Sequence, residues 1–233
     1  MRKVSLLTLF SLITLLYSFC GIIPEAMALT YTIYPSQDTY VTSQNPTETY
    51  GTAEILTTGY SPPGQYSYNY TKRSYFEFPL NTIGPGEVIT QASFIFQTAG
   101  GGWSQYDHVI NLHFTTSLWN ESTLNYNNQP GYDSTILATH TFNSSPGGVV
   151  EMVFTDTGSL AGMTSALLLL KMSNEDSIYS NHVSMYSKEF GSYEGNWSRF
   201  EITTTGVVPL PGTLVLLGSG LLGLAGWRRL KKG

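Results

Sequence analysis

The chain has 233 residues, 16 of them Tyr, with eleven Lys and Arg against sixteen Asp and Glu. With its two ends set aside, fifteen acidic side chains face only five basic ones, Lys72, Arg73, Lys171, Lys188 and Arg199, a net charge of about −10. That charge argues against nucleic acid or anionic lipid as partners of the middle of the chain. The single cysteine, Cys20, falls near the N-terminus, so the rest has no disulfide or thiol chemistry.

In chain order, residues 1–28 read as a secretory signal peptide. Arg2 and Lys3 form a positive start, residues 4–19 an apolar run, and Ala26-Met27-Ala28 a small-residue site for cleavage after Ala28. A lipoprotein signal at Cys20 is the alternative, but the bulky Phe19 stands where Gly, Ala or Ser is wanted. Residues 29–206 then form one domain, long enough for a single core.

Alternating apolar and polar residues predict strands over 30–35, 38–42, 53–60, 73–78, 88–97 and 108–115. Further strands are expected over 135–142, 149–154, 166–172, 182–187 and 197–203, with Asn-Pro, Pro-Pro-Gly, Gly-Pro-Gly and Ser-Pro-Gly-Gly turns between them. In RSYFEF (73–78), Phe76 and Phe78 share one face and Tyr75 the other, which predicts a half-buried strand. His108, His113, His140 and His182 show no metal-ligand spacing, and His113 reads as a residue on the polar face of its strand, with Asn111 and Thr115. Leu167–Leu170 suits a buried strand or part of a helix, and its β-rich surroundings favour the strand. Residues 157–164 have room for one helical turn. About ten short strands at this spacing predict an all-β fold, a jelly-roll-like β-sandwich.

Residues 207–233 close the chain with Pro209, Leu210, Pro211 and Gly212, then an uncharged run over about 211–227, then Arg228, Arg229, Lys231 and Lys232. The run matches the roughly 20 apolar residues of a membrane-crossing helix, and its glycines are tolerated there. The basic end belongs on the cytoplasmic side, which places the domain outside.

The order Pro-x-Pro, apolar span, basic cluster resembles a PEP-CTERM sorting tail, with Leu210 in place of the usual Glu. The resemblance implies export in a Gram-negative bacterium, an exosortase-type processing enzyme as partner, and delivery to the envelope or extracellular matrix. Within the domain, Asp38-Thr39-Tyr40-Val41, Asn45 with Tyr50-Gly51-Thr52, residues 73–78, and the stretch WNESTLNYNNQP from Trp119 to Pro130 occur in order. Together with Ser187-Lys188-Glu189 and residues 199–202 they resemble the DNRLRE domain, also met as disaggregatase-related repeats and related to carbohydrate-binding module family 96. The resemblance implies a sandwich that binds polysaccharide.

For the motif loop Trp119, Glu121, Tyr126, Asn127 and Pro130, two readings stand. Trp119 and Tyr126 form a sugar platform, or Trp119 plugs an end of the sandwich while Glu121 satisfies loop amides; the second is favoured because the pattern defines the fold. Tyr60, Tyr66, Tyr68 and Tyr70 around a Pro-Pro-Gly turn, with Trp103 and Tyr106 beside three glycines, are the expected glycan surface, since Tyr joins apolar area to a hydroxyl at low entropy cost; the alternative is that both stretches are aromatic clusters packed on their own edge of the sandwich. Catalysis has little support: there is no Gly-x-Ser-x-Gly elbow, phosphate loop or HExxH, and the pairs Glu175-Asp176 and Glu189…Glu194 would serve a glycosidase only if the fold set their carboxylates about 5–10 Å apart. No cofactor is expected; a structural calcium on Asp38, Asp133 or Asp156 is compatible with these residues, but they are too dispersed to predict one. The expected function is non-catalytic polysaccharide binding by an exported protein. The alternatives are a matrix protein with no specific ligand, or a polysaccharide lyase or hydrolase.

Overall fold

The computed structural model describes residues 26–62, 70–100, 107–143, 147–175, 179–191 and 194–207. The strands are β1 (Ala26–Ile33), β2 (Gln37–Thr42), β3 (Ile55–Ser61), β4 (Tyr70–Pro79), β5 (Val88–Gln97) and β6 (His108–Phe114). They continue as β7 (Ala138–Phe142), β8 (Val149–Val153), β9 (Ser165–Met172), β10 (Asn181–Tyr186) and β11 (Arg199–Val207). Among the described residues there is no α-helix, and the 157–164 stretch holds one 3₁₀ turn, Gly158–Leu160.

Two sheets form the sandwich. One has the order β1-β11-β5-β8; the other runs β10-β3-β4-β9-β6-β7, with β2 paired to β4 outside that path. β2 pairs residues 72–77 of β4 while β9 pairs residues 74–79, so both edges of β4 are occupied. Alternation sends Phe76 and Phe78 of β4, Phe94 and Phe96 of β5 and Phe200 of β11 into one core, each fully buried. Phe76 and Phe94 meet tilted at 4.8 Å, as do Phe78 and Phe200 at 5.4 Å, while Phe76 and Phe78 lie nearly parallel at 6.2 Å, a separation that fits offset stacking. Leu168 and Leu170 of β9 join this core.

The larger sheet is covered on its outer face as well. Val41, Tyr75, Leu124 and Leu169 form a second small core there, with Trp119 and Tyr126 packed against it. Two expectations are corrected. Tyr75 is fully buried, so β4 is not half-exposed, because the 119–130 loop lies over that face. His113 and Asn111 are 4% and 9% exposed rather than on a wet polar face, because residues 132–135 close over His113 and Thr139 of β7 donates to Asn111 Oδ1 at 3.1 Å. His113 Nδ1 sits 2.9 Å from the carbonyl of Asp133 and 3.0 Å from that of Thr135, with the Tyr132 ring tilted over it. Two carbonyls can be satisfied only by an N–H, so Nδ1 carries the hydrogen. This double cover also explains the Leu167–Leu170 run: Leu168 and Leu170 enter the main core while Leu169 enters the second.

By contacts the chain divides into a unit Leu29–Thr204, which carries the sandwich, and a unit of residues 1–28 and 205–233, of which only the start of β1 and the end of β11 are described. The predicted signal peptide, apart from those strand residues, and the predicted span at about 211–227 lie outside the described residues. Among the described residues no helix is long and apolar enough to cross a membrane.

Candidate functional site

Strand alternation puts Tyr70 and Lys72 of β4 on one side. Lys72 pairs across to Thr42 of β2 and to Gly59 of β3, and Gly59 pairs in turn with His182 of β10. The side chains at these positions and their neighbours form a layered row. Tyr50 stacks on Tyr40 with centroids 4.3 Å apart; Lys72 Nζ lies over the Tyr40 ring at 5.6 Å and over the Tyr70 ring at 5.5 Å; Tyr70 stacks on His182 at 5.4 Å. Every member is partly buried. Rings over an ammonium stabilise it electrostatically and hold the flexible lysine in one place.

The chemistry of the row is well defined. Burial, then the neighbouring Tyr50 and Glu48, push the Tyr40 phenol up to about 12, so it stays a hydrogen-bond donor. At one end the Tyr50 hydroxyl donates to Glu48 Oε2 at 2.7 Å and accepts from Asn45 Nδ2 at 3.1 Å, while Asn45 Nδ2 also donates to Glu48 at 3.0 Å. At the other end His182 Nε2 meets the Tyr70 hydroxyl and Ser180 Oγ. Lys72 has no ion-pair partner among the described residues, although the domain is strongly acidic, and burial lowers its pKa. An ammonium held over two phenol rings, with no carboxylate partner among the described residues, is a donor suited to a polyhydroxylated or carboxylated ligand.

The motif loop is structural in its contacts. Trp119 packs edge-on to Tyr75 at 5.9 Å, on the outer face of the large sheet and not at an end of the sandwich. Asn125 and Asn128 tie the loop with side-chain bonds to its own backbone, the Asn127 amide donates to the Pro46 carbonyl, and Pro130 is buried. The Tyr75 hydroxyl and Arg73 both donate to Gln129 Oε1, and Arg73 also makes a two-pronged pair with Glu175 at 2.6 and 2.9 Å.

Glu121 is a hub in a partly buried charge cluster. Its carboxylate accepts the Asp38 amide and pairs with Lys188, which also pairs with Glu189. Asp38 is 1% exposed and takes only the Lys188 backbone N–H, at 2.9 Å, because the Lys188 ammonium is bonded by the two glutamates. Burial therefore raises the Asp38 carboxyl to about 7 despite the adjacent lysine. A carboxyl that holds its proton more tightly when folded makes stability fall as pH rises between its unfolded and folded values, here from about 4 to about 7. Asp38→Asn is expected to remove that fall, at most about 1.4 kcal/mol per pH unit. Urea midpoints of both proteins across this range test it; parallel profiles would refute the assignment.

Asp133 and Asp156 lie elsewhere and cap the local amides of Thr135 and Gly158. Among the described residues no group of three or more metal-type side chains is placed to hold an ion. A cavity of about 360 Å³ opens between residues 80–89 and 157–163, lined by Leu80, Ile83, Leu160 and Met163. Its one charged side chain, Glu87, already accepts the Tyr31 and Thr204 hydroxyls, so the cavity gathers few free polar groups for a sugar.

Of the predicted glycan surface, Tyr70 lies in the row. Tyr60 is corrected: at 6% exposure it belongs to the main core, because it points inward from the end of β3. Tyr66, Tyr68, Trp103 and Tyr106 lie outside the described residues, as do Pro209, Leu210, Pro211, Gly212 and the basic end Arg228, Arg229, Lys231 and Lys232. Sequence reasoning missed Tyr40, Tyr50, Lys72 and His182 as a group. The available signal was the alternation Tyr70-x-Lys72 next to an aromatic-rich stretch.

A disulfide-free sandwich bearing an aromatic and cationic surface row has the build of a ligand-binding module. The chain belongs to carbohydrate-binding module family 96, whose model matches residues 29–197. Residues 207–230 match the PEP-CTERM protein-sorting motif. No curated protein matches the chain.

Proposed function

We propose that this protein is an exported, non-catalytic polysaccharide-binding module, and that the row Tyr50–Tyr40–Lys72–Tyr70–His182 is part of its glycan site. The observation that carries this reading is Lys72, held between two tyrosine rings with no carboxylate partner among the described residues of an acidic domain. Tyr66, Tyr68, Trp103 and Tyr106 are proposed as further ligand-binding residues on the sequence alone. In this reading a signal peptide ending at Ala28 exports the chain and the 211–227 span holds it. An exosortase-type enzyme then sorts it to the envelope or matrix, where many weak sites act together.

Affinity electrophoresis of the full chain in gels of polygalacturonate and of neutral β-glucan tests the site. Lys72→Ala is expected to weaken retention on polygalacturonate by about tenfold or more, the scale of a hydrogen bond to a charged group. Equal retention of wild type and Lys72→Ala removes the row from the site. No retention of the wild type on either gel favours a matrix protein without a ligand of these two kinds, and reducing ends released during incubation would indicate an enzyme.

A further inference from the structure

His182 stands at the end of the row, and its surroundings go beyond simple packing. Its ring lies over Gly59: a Cβ built there would meet His182 Nδ1 at 2.1 Å and Cγ at 2.8 Å, so only glycine leaves the imidazole this seat. One face of the ring is stacked on Tyr70 with the planes 20° apart, and Nε2 lies 3.4 Å from the Tyr70 hydroxyl and 3.2 Å from Ser180 Oγ. Ser180 Oγ in turn donates to Ser61 Oγ at the end of β3, which ties the ring to the strand that pairs with Tyr70. Nδ1 is buried without a hydrogen-bond partner. A neutral imidazole can leave one ring nitrogen bare as an acceptor, but an imidazolium must bury an unpaired N–H and a positive charge there.

We propose that His182 is a positioning residue for the glycan site: its neutral ring, seated on Gly59, holds Tyr70 beside Lys72, and protonation releases Tyr70 and disassembles the row. This rests on the row being the glycan site. The groups facing His182 are Tyr70 and Lys72 from β4, and His108 from β6. Burial, then Lys72, then His108 depress its pKa to about 4, and no carboxylate contributes. The row is therefore assembled throughout the neutral and mildly acidic range and comes apart only in stronger acid, where the repulsion between an imidazolium and Lys72 meets no counter-charge among the described residues.

Two variants of the full chain and one spectroscopic reading test this. His182→Ala is expected to weaken retention on polygalacturonate at pH 7 by about three- to tenfold. His182→Gln keeps a planar polar group over Tyr70 and cannot titrate, so it is expected to stay within about twofold of wild type. In the unliganded protein the Tyr70 ring resonances are expected to follow a titration with a midpoint near pH 4 in wild type and to lose it in His182→Gln. The proposal is overturned if His182→Ala binds like wild type, if His182→Gln loses as much as His182→Ala, or if Tyr70 does not sense the titration. If wild type binds neither gel, the glycan role falls while the Tyr70 titration still decides whether His182 braces the row.

Discussion

Tyr75→Ala is expected to cost about 3–5 kcal/mol of stability and to loosen the 119–130 loop from the sheet. Tyr75 is fully buried on the outer face of β4, packs with Val41, Leu124 and Leu169, and meets Trp119 edge-on. Its hydroxyl donates to Gln129 Oε1 at 2.9 Å. Truncation would leave a cavity in a core of only four buried residues, where few neighbours can collapse inward. Tyr75→Phe removes the hydrogen bond alone and should cost about 1 kcal/mol. Urea unfolding of the full chain measures both, with Trp119 fluorescence reporting the loop. A loss below about 1 kcal/mol for Tyr75→Ala would show that this second core contributes little.

Gly51→Ala carries the second large effect. A Cβ at Gly51 would lie 2.4 Å from the Glu121 carbonyl oxygen and 2.7 Å from its carbonyl carbon. Both are backbone atoms, so no side-chain rotation relieves the clash. The Glu121 segment would have to move, and Glu121 also accepts the Asp38 amide and pairs with Lys188. Overpacking of this kind costs about 1–3 kcal/mol, with the disturbed charge cluster adding to it. Expected readouts are a lower urea midpoint and a weakened pH dependence of stability from Asp38. An unchanged midpoint would mean that the 119–130 loop yields freely, contrary to its network of side-chain and backbone bonds.

Which parts of this molecule were legible in advance follows from the range of the forces involved. The strands were, because a period of two is a local property. Ala-Ser-Phe-Ile-Phe in β5 and the Phe76–Phe78 alternation in β4 each declare an inward face from a few consecutive residues. The WNESTLNYNNQP stretch was legible as a fold element, since its asparagines bond within the stretch itself. The outer cover was not. Nothing near Tyr75 or His113 in sequence shows that residues 119–137 return across the large sheet, and alternation alone assigns both residues to a wet face. Tyr60 was misread for the same reason: a tyrosine beside a loop rich in tyrosines looks like surface until its direction at the end of β3 is known.

The Tyr50–Tyr40–Lys72–Tyr70–His182 row marks the boundary most clearly. The acidic balance, the absence of thiols from the domain, the two-residue periodicity and the motif order determine by themselves an all-β sandwich and, with the two terminal segments, the expectation of export. These properties depend on composition or on neighbours in the chain. That Lys72 has no carboxylate partner among the described residues and lies between Tyr40 and Tyr70, with Tyr50 and His182 closing the ends, depends on the registry of β2, β4, β3 and β10. Cross-strand registry is set by packing of the whole core and by the space left at Gly59, so only the tertiary structure could decide it.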